Sequence, residues 1–257
     1  MASKVLLTRP RLDSEALAKI LFSKNIKAMI EPIIEINYNP EAELPVLKNY
    51  QAILLTSANG ARALAAGLGT TLLDSNSIPV FAVGAATAKM AAKIGFRNVT
   101  SADGDVNALC LLVKSTLKPS MGSLLHIAGS RVAGNLALSL GRYGFTVQRE
   151  CIYSTEERKS LSLQTRNAII NDYINIILFF SPRSAYGFAK LASAWAEKEG
   201  DLVNIAFSKM TAVCLSSPVA AELSALKFLR VRIASRPRQT ALINEVMREI
   251  EELKHDR

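Results

Sequence analysis

Four phrases of sequence run through this chain twice in the same order. A strand-like run that ends in hydroxyls and opens a helix, ILLTSANGARALA from Ile53 to Ala65, recurs as ILFFSPRSAYGFA from Ile177 to Ala189. A second phrase follows each copy: VFAVGAATAKMA from Val80 to Ala91, and AVCLSSPVAAEL from Ala212 to Leu223. A third follows that, TSADGDVNAL from Thr100 to Leu109 and ASRPRQTAL from Ala234 to Leu242. Ahead of each series stands a strand with an Arg-bearing turn and a helix, VLLTRPRLDSEALAKIL from Val5 and LLHIAGSRVAGNLALSL from Leu124. Such a repeat predicts two related α/β halves. Two halves make a cleft, and clefts are where ligands bind.

Each phrase joins a short apolar run to a helical one. Strands are expected at Val5 to Thr8, near Ala52 to Thr56, Pro79 to Val83, Val99 to Thr100, Leu124 to Ile127, Thr146 to Thr155, Ile174 to Phe180, Thr211 to Leu215 and Val231 to Ala234. Runs such as IILFF, apolar at every position, suit a parallel sheet covered on both faces. After the first strand, Arg9-Pro10 turns the chain, and Ser14 is expected to cap a helix with Leu17, Ile20 and Leu21 on one face. Ala28 to Ile36 reads as extended and broken at Pro32, with Tyr38-Asn39-Pro40 as a turn or linker.

At 257 residues, 49% hydrophobic and 21% charged, the chain can bury one large core or two of ordinary domain size. Met1 to Lys4 lead directly into a strand and no run reaches about 18 apolar residues, so secretion and membrane insertion are not expected and a cytoplasmic location is. Three dispersed cysteines, Cys110, Cys151 and Cys214, with only two histidines, assemble no metal-ligand spacing and read as core thiols in a reducing compartment. The net charge of +9 suggests an anionic partner: nucleic acid, an anionic membrane or a polyanionic small molecule. The basic residues are scattered, without aromatic interleaving and without an amphipathic basic helix, which weakens the nucleic-acid option. A merely basic, soluble surface has the same composition.

In open parallel sheets the functional loops lie at the carboxyl ends of strands, where helix N-termini present N–H groups to anions. Ser57, Thr87, Ser181 and Ser216 fall at such places. Each could equally be a plain N-cap, the commonest role of Ser and Thr there. Arg9, Arg131, Arg183, Arg236 and Arg238 stand beside the same turns and offer planar forks of donors for carboxylate or phosphate, or else simple surface charge. Neither G-x-G-x-x-G nor G-x-x-x-x-G-K-[ST] occurs, so nucleotide binding has no sequence support. His126, inside a strand, and His255, in a polar tail, read as structural or solvated.

TRP at Thr8 to Pro10, TSANGARAL, VGAATA, GSR at Gly129 to Arg131, the tyrosine of IYST at Tyr153, FFSPRSA and the closing S-x-P-x-x-x-A-L together resemble uroporphyrinogen-III synthase, from Val5 to about Ile250. The resemblance implies a lyase that closes hydroxymethylbilane to uroporphyrinogen III with loss of water and inversion of the last pyrrole, without metal or organic cofactor. It implies Tyr153 as the catalytic acid. Substrate binding would then fall to Arg9, Ser57, Asn59, Thr87, Arg131, Ser181, Arg183, Ser184, Ser216 and Ser217. The partner is then a polycarboxylate small molecule, together with the enzyme supplying it, and neither nucleic acid nor membrane; a monomer is expected. A non-catalytic two-domain module that holds an anionic tetrapyrrole is the alternative. The chain departs from the family at Ser216-Ser217-Pro218-Val219, where a Gly-Pro-Thr-Thr-type turn is common.

The repeats alone place a domain boundary near Ser115 to Met121. The resemblance implies another division, in two α/β domains with parallel sheets flanked by helices and the active site in the cleft between them. One domain would be residues 1–33 with 157–257, the other 38–151, joined by two extended connectors near 34–37 and 152–156.

Overall fold

The computed structural model describes residues 4–39, 43–68, 77–130 and 135–255. In chain order the strands and helices begin with β1 (Lys4–Leu7), α1 (Arg11–Phe22), β2 (Lys27–Ile30), β3 (Ile34–Tyr38), β4 (Ala52–Leu55) and α2 (Ala58–Leu68). They continue with β5 (Val80–Ala82), α3 (Ala85–Lys93), β6 (Val99–Ser101), α4 (Val106–Thr116), β7 (Leu124–Gly129), α5 (Leu136–Gly141) and β8 (Val147–Glu157). Then come α6 (Leu163–Ile170), β9 (Ile174–Phe179), α7 (Pro182–Glu199), α8 (Asp201–Phe207), β10 (Thr211–Cys214), α9 (Ser217–Ala221), β11 (Arg230–Ile233) and α10 (Gln239–His255). The expected alternation of strand and helix is present, and Pro32 does separate two strands.

Two compact units emerge, one of Met1–Glu35 with Glu156–Arg257 and the other of Ile36–Thr155. The chain therefore does not divide near Ser115 to Met121. It divides inside β3 and inside β8, each of which runs on without a break.

The first unit holds a five-stranded sheet in the order β11-β10-β9-β1-β2. All of its described pairings are parallel. Alternation along each strand sends side chains to both faces. Val5, Leu7, Ile176 and Leu178 pack beneath Leu17, Leu21, Leu242 and Val246 of α1 and α10. Leu6, Ile177 and Phe179 pack against Phe188, Val203 and Phe207 of α7 and α8.

The second unit holds the sheet β3-β8-β7-β4-β5-β6. Its described pairings, among β4 to β8, are parallel too. One face carries Ile53, Leu55 and Ile127 against Ala61, Leu64 and Ala91, and the other carries Ala52, Leu54 and Leu124 against Leu109, Val113 and Leu140.

Reading β6-β5-β4-β7-β8 against β11-β10-β9-β1-β2 gives the same order of repeat phrases in both sheets. Even the register repeats: Ile53 pairs with Val80, and its counterpart Ile177 pairs with Ala212. The phrase that stands ahead of each series, however, sits in the sheet built by the other series. β1 lies beside β9, and β7 lies beside β4.

Some local expectations fail for identifiable reasons. α1 starts at Arg11 directly after Pro10, whose missing N–H and fixed φ suit a helix entry. Ser14 is one turn inside, buried, with its hydroxyl donating to the Arg9 carbonyl at 2.9 Å, and is not the cap. Ile20 is exposed while Leu17 and Leu21 are buried, because only the latter two face the sheet. Tyr38 is the last residue of β3 rather than linker, and Pro40 lies outside the described residues. Cys110 and Cys214 are core thiols, but Cys151 is exposed. Among the described residues, no helix is long and apolar enough to cross a membrane.

Candidate functional site

Strand order locates the loops of interest. In the first unit the chain winds from β1 to β2 on one side and through β9, β10 and β11 on the other, so the order reverses between β1 and β9. In the second unit the reversal lies between β4 and β7. Loops at the carboxyl ends of strands beside such a reversal diverge and leave room for a ligand.

At the carboxyl end of β1, the Thr8 hydroxyl is fully buried and donates to the Leu178 carbonyl at 2.7 Å, tying β1 to β9. Arg9 follows, half-buried. Its guanidinium lies 4.4 Å from the centroid of the Phe180 ring, with Nη1 donating to Gln239 Oε1 at 3.2 Å and Nη2 3.4 Å from Asp13. Stacking and two partners hold the fork at this edge and restrict its rotamers. Ser181 caps α7 at the end of β9: its Oγ accepts from the Ser184 N–H at 3.2 Å and donates to Ser184 Oγ at 3.0 Å. Ser184 is 4% exposed. Arg183, in the first turn of the same helix, pairs with Glu157 at 3.4 Å.

Ser216 occupies the N-cap of α9 without a side-chain cap hydrogen bond, and Ser217, the first helical residue, is exposed. Pro218 follows, and Val219 is 1% exposed, a core residue. A side-chain contact from this turn to a ligand would therefore fall to Ser216 or Ser217. Arg236 and Arg238 are exposed in the loop before α10.

In the second unit, Ser57 follows β4 and its Oγ accepts from the Asn59 N–H at 3.1 Å, the geometry of a cap. Asn59 Oδ1 accepts from the Tyr38 hydroxyl at 3.3 Å and from Arg62 Nη1 at 2.6 Å. Gly84, not Thr87, holds the N-cap position of α3. Thr87 stands in the first turn, 6% exposed, at the place its repeat counterpart Val219 fills with a core methyl group. Arg131 lies outside the described residues.

Tyr153 is on β8 opposite Gly129, 8% exposed, with its ring tilted against that of Tyr38 at a centroid distance of 6.5 Å. The second unit thus gathers Ser57, Asn59 and Tyr153 with Tyr38, Gly129 and Arg149, and the first gathers Arg9, Ser181, Arg183 and Ser184. Tyr38 and Arg149 were not legible as site residues. Tyr38 read as linker, and Arg149 carries no motif that would separate it from other surface arginines.

His126 lies on β7 just below this edge. It is 3% exposed, with Nε2 3.2 Å from Thr56 Oγ1. Burial, reinforced by the nearby Arg149 charge, lowers its pKa from 6.5 to about 4. The folded protein therefore keeps His126 neutral where the unfolded chain binds a proton, so stability falls as pH drops from 6.5 towards 4. The shift corresponds to about 3 kcal/mol once both states are protonated. Urea midpoints measured near neutral pH and near pH 4 should show a smaller acid loss for His126→Gln than for the parent. An equal loss in both would assign the slope to other groups. His255 lies on the exposed last turn of α10, its Nδ1 2.8 Å from the Glu251 carbonyl oxygen. Among the described residues no three of His, Cys, Asp and Glu converge as metal ligands.

Comparison with known proteins follows the same lines. A uroporphyrinogen-III synthetase structure from Helicobacter pylori superposes with a TM-score of 0.62 at 18% identity, covering 96% of this chain and 99% of that one. A mutant uroporphyrinogen III synthase from the extremely thermophilic bacterium Thermus thermophilus gives 0.54 at 16% identity, covering 98% and 100%. At these identities the likeness is one of fold. A search of curated protein sequences returns no match. The family model described as Uroporphyrinogen-III synthase HemD matches residues 15–244, so this chain, whose doubled α/β phrases build two sheets of one strand order, belongs to the uroporphyrinogen-III synthase family.

Proposed function

We propose that the protein performs the reaction of its family as a lyase acting on hydroxymethylbilane, with Tyr153 as the acid. The observation that supports this reading most directly is the family match across residues 15–244, joined to a buried tyrosine at the carboxyl edge of the second sheet. Substrate carboxylates are bound by Arg9, Arg131 and Arg183, and by the hydroxyls and helix N-termini at Ser57, Ser181, Ser216 and Ser217. Such donors act strongly on carboxylates, and the net charge of +9 draws the polyanion in. Asn59, Thr87 and Ser184 shape the same turns.

The chemistry starts with electron release from the terminal pyrrole nitrogen. The bond from the hydroxymethyl carbon to oxygen breaks, and the oxygen takes the Tyr153 phenolic proton and leaves as water. The azafulvene left behind is attacked by the substituted carbon of the last pyrrole, giving a spiro intermediate that fragments and recloses with that ring inverted. A final proton loss, which returns a proton to the Tyr153 phenolate, restores the aromatic pyrrole. A phenol shielded from bulk water makes a stronger hydrogen bond to the leaving oxygen than an exposed one. Since the bilane also cyclises unaided to the uninverted isomer, holding its two ends in one geometry contributes most of the selectivity. The protein would work as a cytoplasmic monomer fed by the enzyme that makes the bilane.

Product isomers decide the matter. Hydroxymethylbilane generated in place and incubated with the protein, without added metal, should give porphyrins of predominantly type III after oxidation. Type I alone, at the uncatalysed rate and from demonstrably folded protein, would leave a tetrapyrrole-binding module, the reading to which the turn at Ser216 to Val219 lends support.

A further inference from the structure

Tyr153 is delivered to its position by a break in strand pairing. Along β7 and β8 the partners keep step from Leu124 opposite Val147 to Ala128 opposite Cys151, and then the register shifts so that Gly129 faces Tyr153. Ile152 is the extra residue. Successive residues of a regular strand point to opposite faces, yet Ile152 and Tyr153 join the same apolar cluster. That is the signature of a β-bulge, a device that re-aims side chains beside functional sites.

Gly129 accommodates the ring so delivered. A Cβ placed there would lie 2.5 Å from Tyr153 Cε2 and 2.7 Å from Cζ, so the aromatic ring fills the space of the missing side chain. The backbone around the bulge is tied down from both strands. Arg149 Nη2 donates to the Gly129 carbonyl at 2.7 Å, and the Ser130 N–H donates to the Tyr153 carbonyl at 3.0 Å.

We propose that Gly129 and Arg149 are positioning residues for Tyr153: the glycine supplies the bed on which the phenol ring lies, and the arginine holds that bed against the bulge. The inference rests on the acid role proposed for Tyr153. Neither residue exchanges a proton in the reaction. Both act by fixing where the phenol oxygen sits.

The test uses Gly129→Ala and Arg149→Met, each alone and combined with Tyr153→Phe, in protein labelled with 3-fluorotyrosine. The chain has six tyrosines, and the Tyr153 fluorine resonance is the one lost in Tyr153→Phe. In both positioning variants that resonance, and with it Tyr38, should shift or broaden while the tyrosines away from the ring stay in place. Turnover to type III product should fall about 10- to 100-fold, the scale of a displaced catalytic group. KM should hold within about twofold, as for an interaction made only in the transition state. Each double variant should be little slower than Tyr153→Phe alone, so that the two losses do not multiply. Losses that multiply with Tyr153→Phe, or an unmoved Tyr153 resonance, would overturn the positioning role while leaving the acid intact. A raised KM at unchanged kcat for Arg149→Met would reassign that residue to substrate binding. Full turnover by Tyr153→Phe would remove the acid and this inference together. If Gly129→Ala does not fold, Arg149→Met decides by the same readouts.

Discussion

Replacing Tyr153 by phenylalanine is expected to slow formation of type III product by about 10²- to 10⁴-fold, the contribution of a positioned general acid. The variant keeps the aromatic ring. The ring still fills the space at Gly129 and still lies against Tyr38, so folding and carboxylate binding should be preserved and the loss should appear in kcat. Selectivity should suffer as well. With enzymatic loss of the hydroxyl slowed, spontaneous closure captures more of the bilane, and the share of type I isomer rises. Separation of the oxidised porphyrins by chromatography, with time courses at saturating substrate, measures both. Unchanged turnover would exclude the phenol as acid.

Truncating Phe188 to alanine should produce the largest loss of stability, about 3–5 kcal/mol. Phe188 is fully buried in the first unit, at ring-centroid distances of 5.2 Å from Phe179 and 5.9 Å from Phe207, both edge-on. Removing it opens a cavity between α7 and the sheet and forfeits two aromatic contacts, each worth about 0.5–1.5 kcal/mol beyond area burial. Phe179 is the last residue of β9, and Phe180, on which Arg9 stacks, and Ser181 follow it directly, so the damage should reach the carboxyl edge. Urea unfolding followed by the single tryptophan reports on this unit directly, because Trp195 packs on Phe207 at 6.4 Å. A midpoint unmoved from the parent would mean that the neighbouring rings close the gap.

Much of the local structure is legible in the residues. IILFF suits a strand covered on both faces, and β9 is one, with Ile177 and Phe179 on one side and Ile176 and Leu178 on the other. Ser57 and Ser181 were placed at strand ends by their position before an apolar helix, and both cap helices there. Arg9 was placed beside the first strand end by its turn. Its stacking on Phe180 was not, since that contact joins residues far apart in sequence. Thr87 misled because a threonine just after a strand looks like a cap, whereas Gly84 takes that place and the threonine turns inward.

Periodicity, hydroxyl placement and the doubled phrases are properties of short stretches, and the sequence by itself determined them: parallel α/β units, two of them, with Ser- and Arg-bearing loops at strand ends and the motifs of one family. Pairing is not a property of a stretch. Val5 to Leu7 and Leu124 to Ile127 are equally apolar, and the pattern says only that each must be buried in a sheet, not in which. The tertiary structure decided that β1 completes the sheet of β9 to β11 and β7 that of β4 to β6, through β3 and β8, which each run from one unit into the other. It also decided the aim of Tyr153. A bulge exists only relative to a partner strand, so the extra residue at Ile152 and the space at Gly129 acquire meaning once β7 and β8 lie side by side.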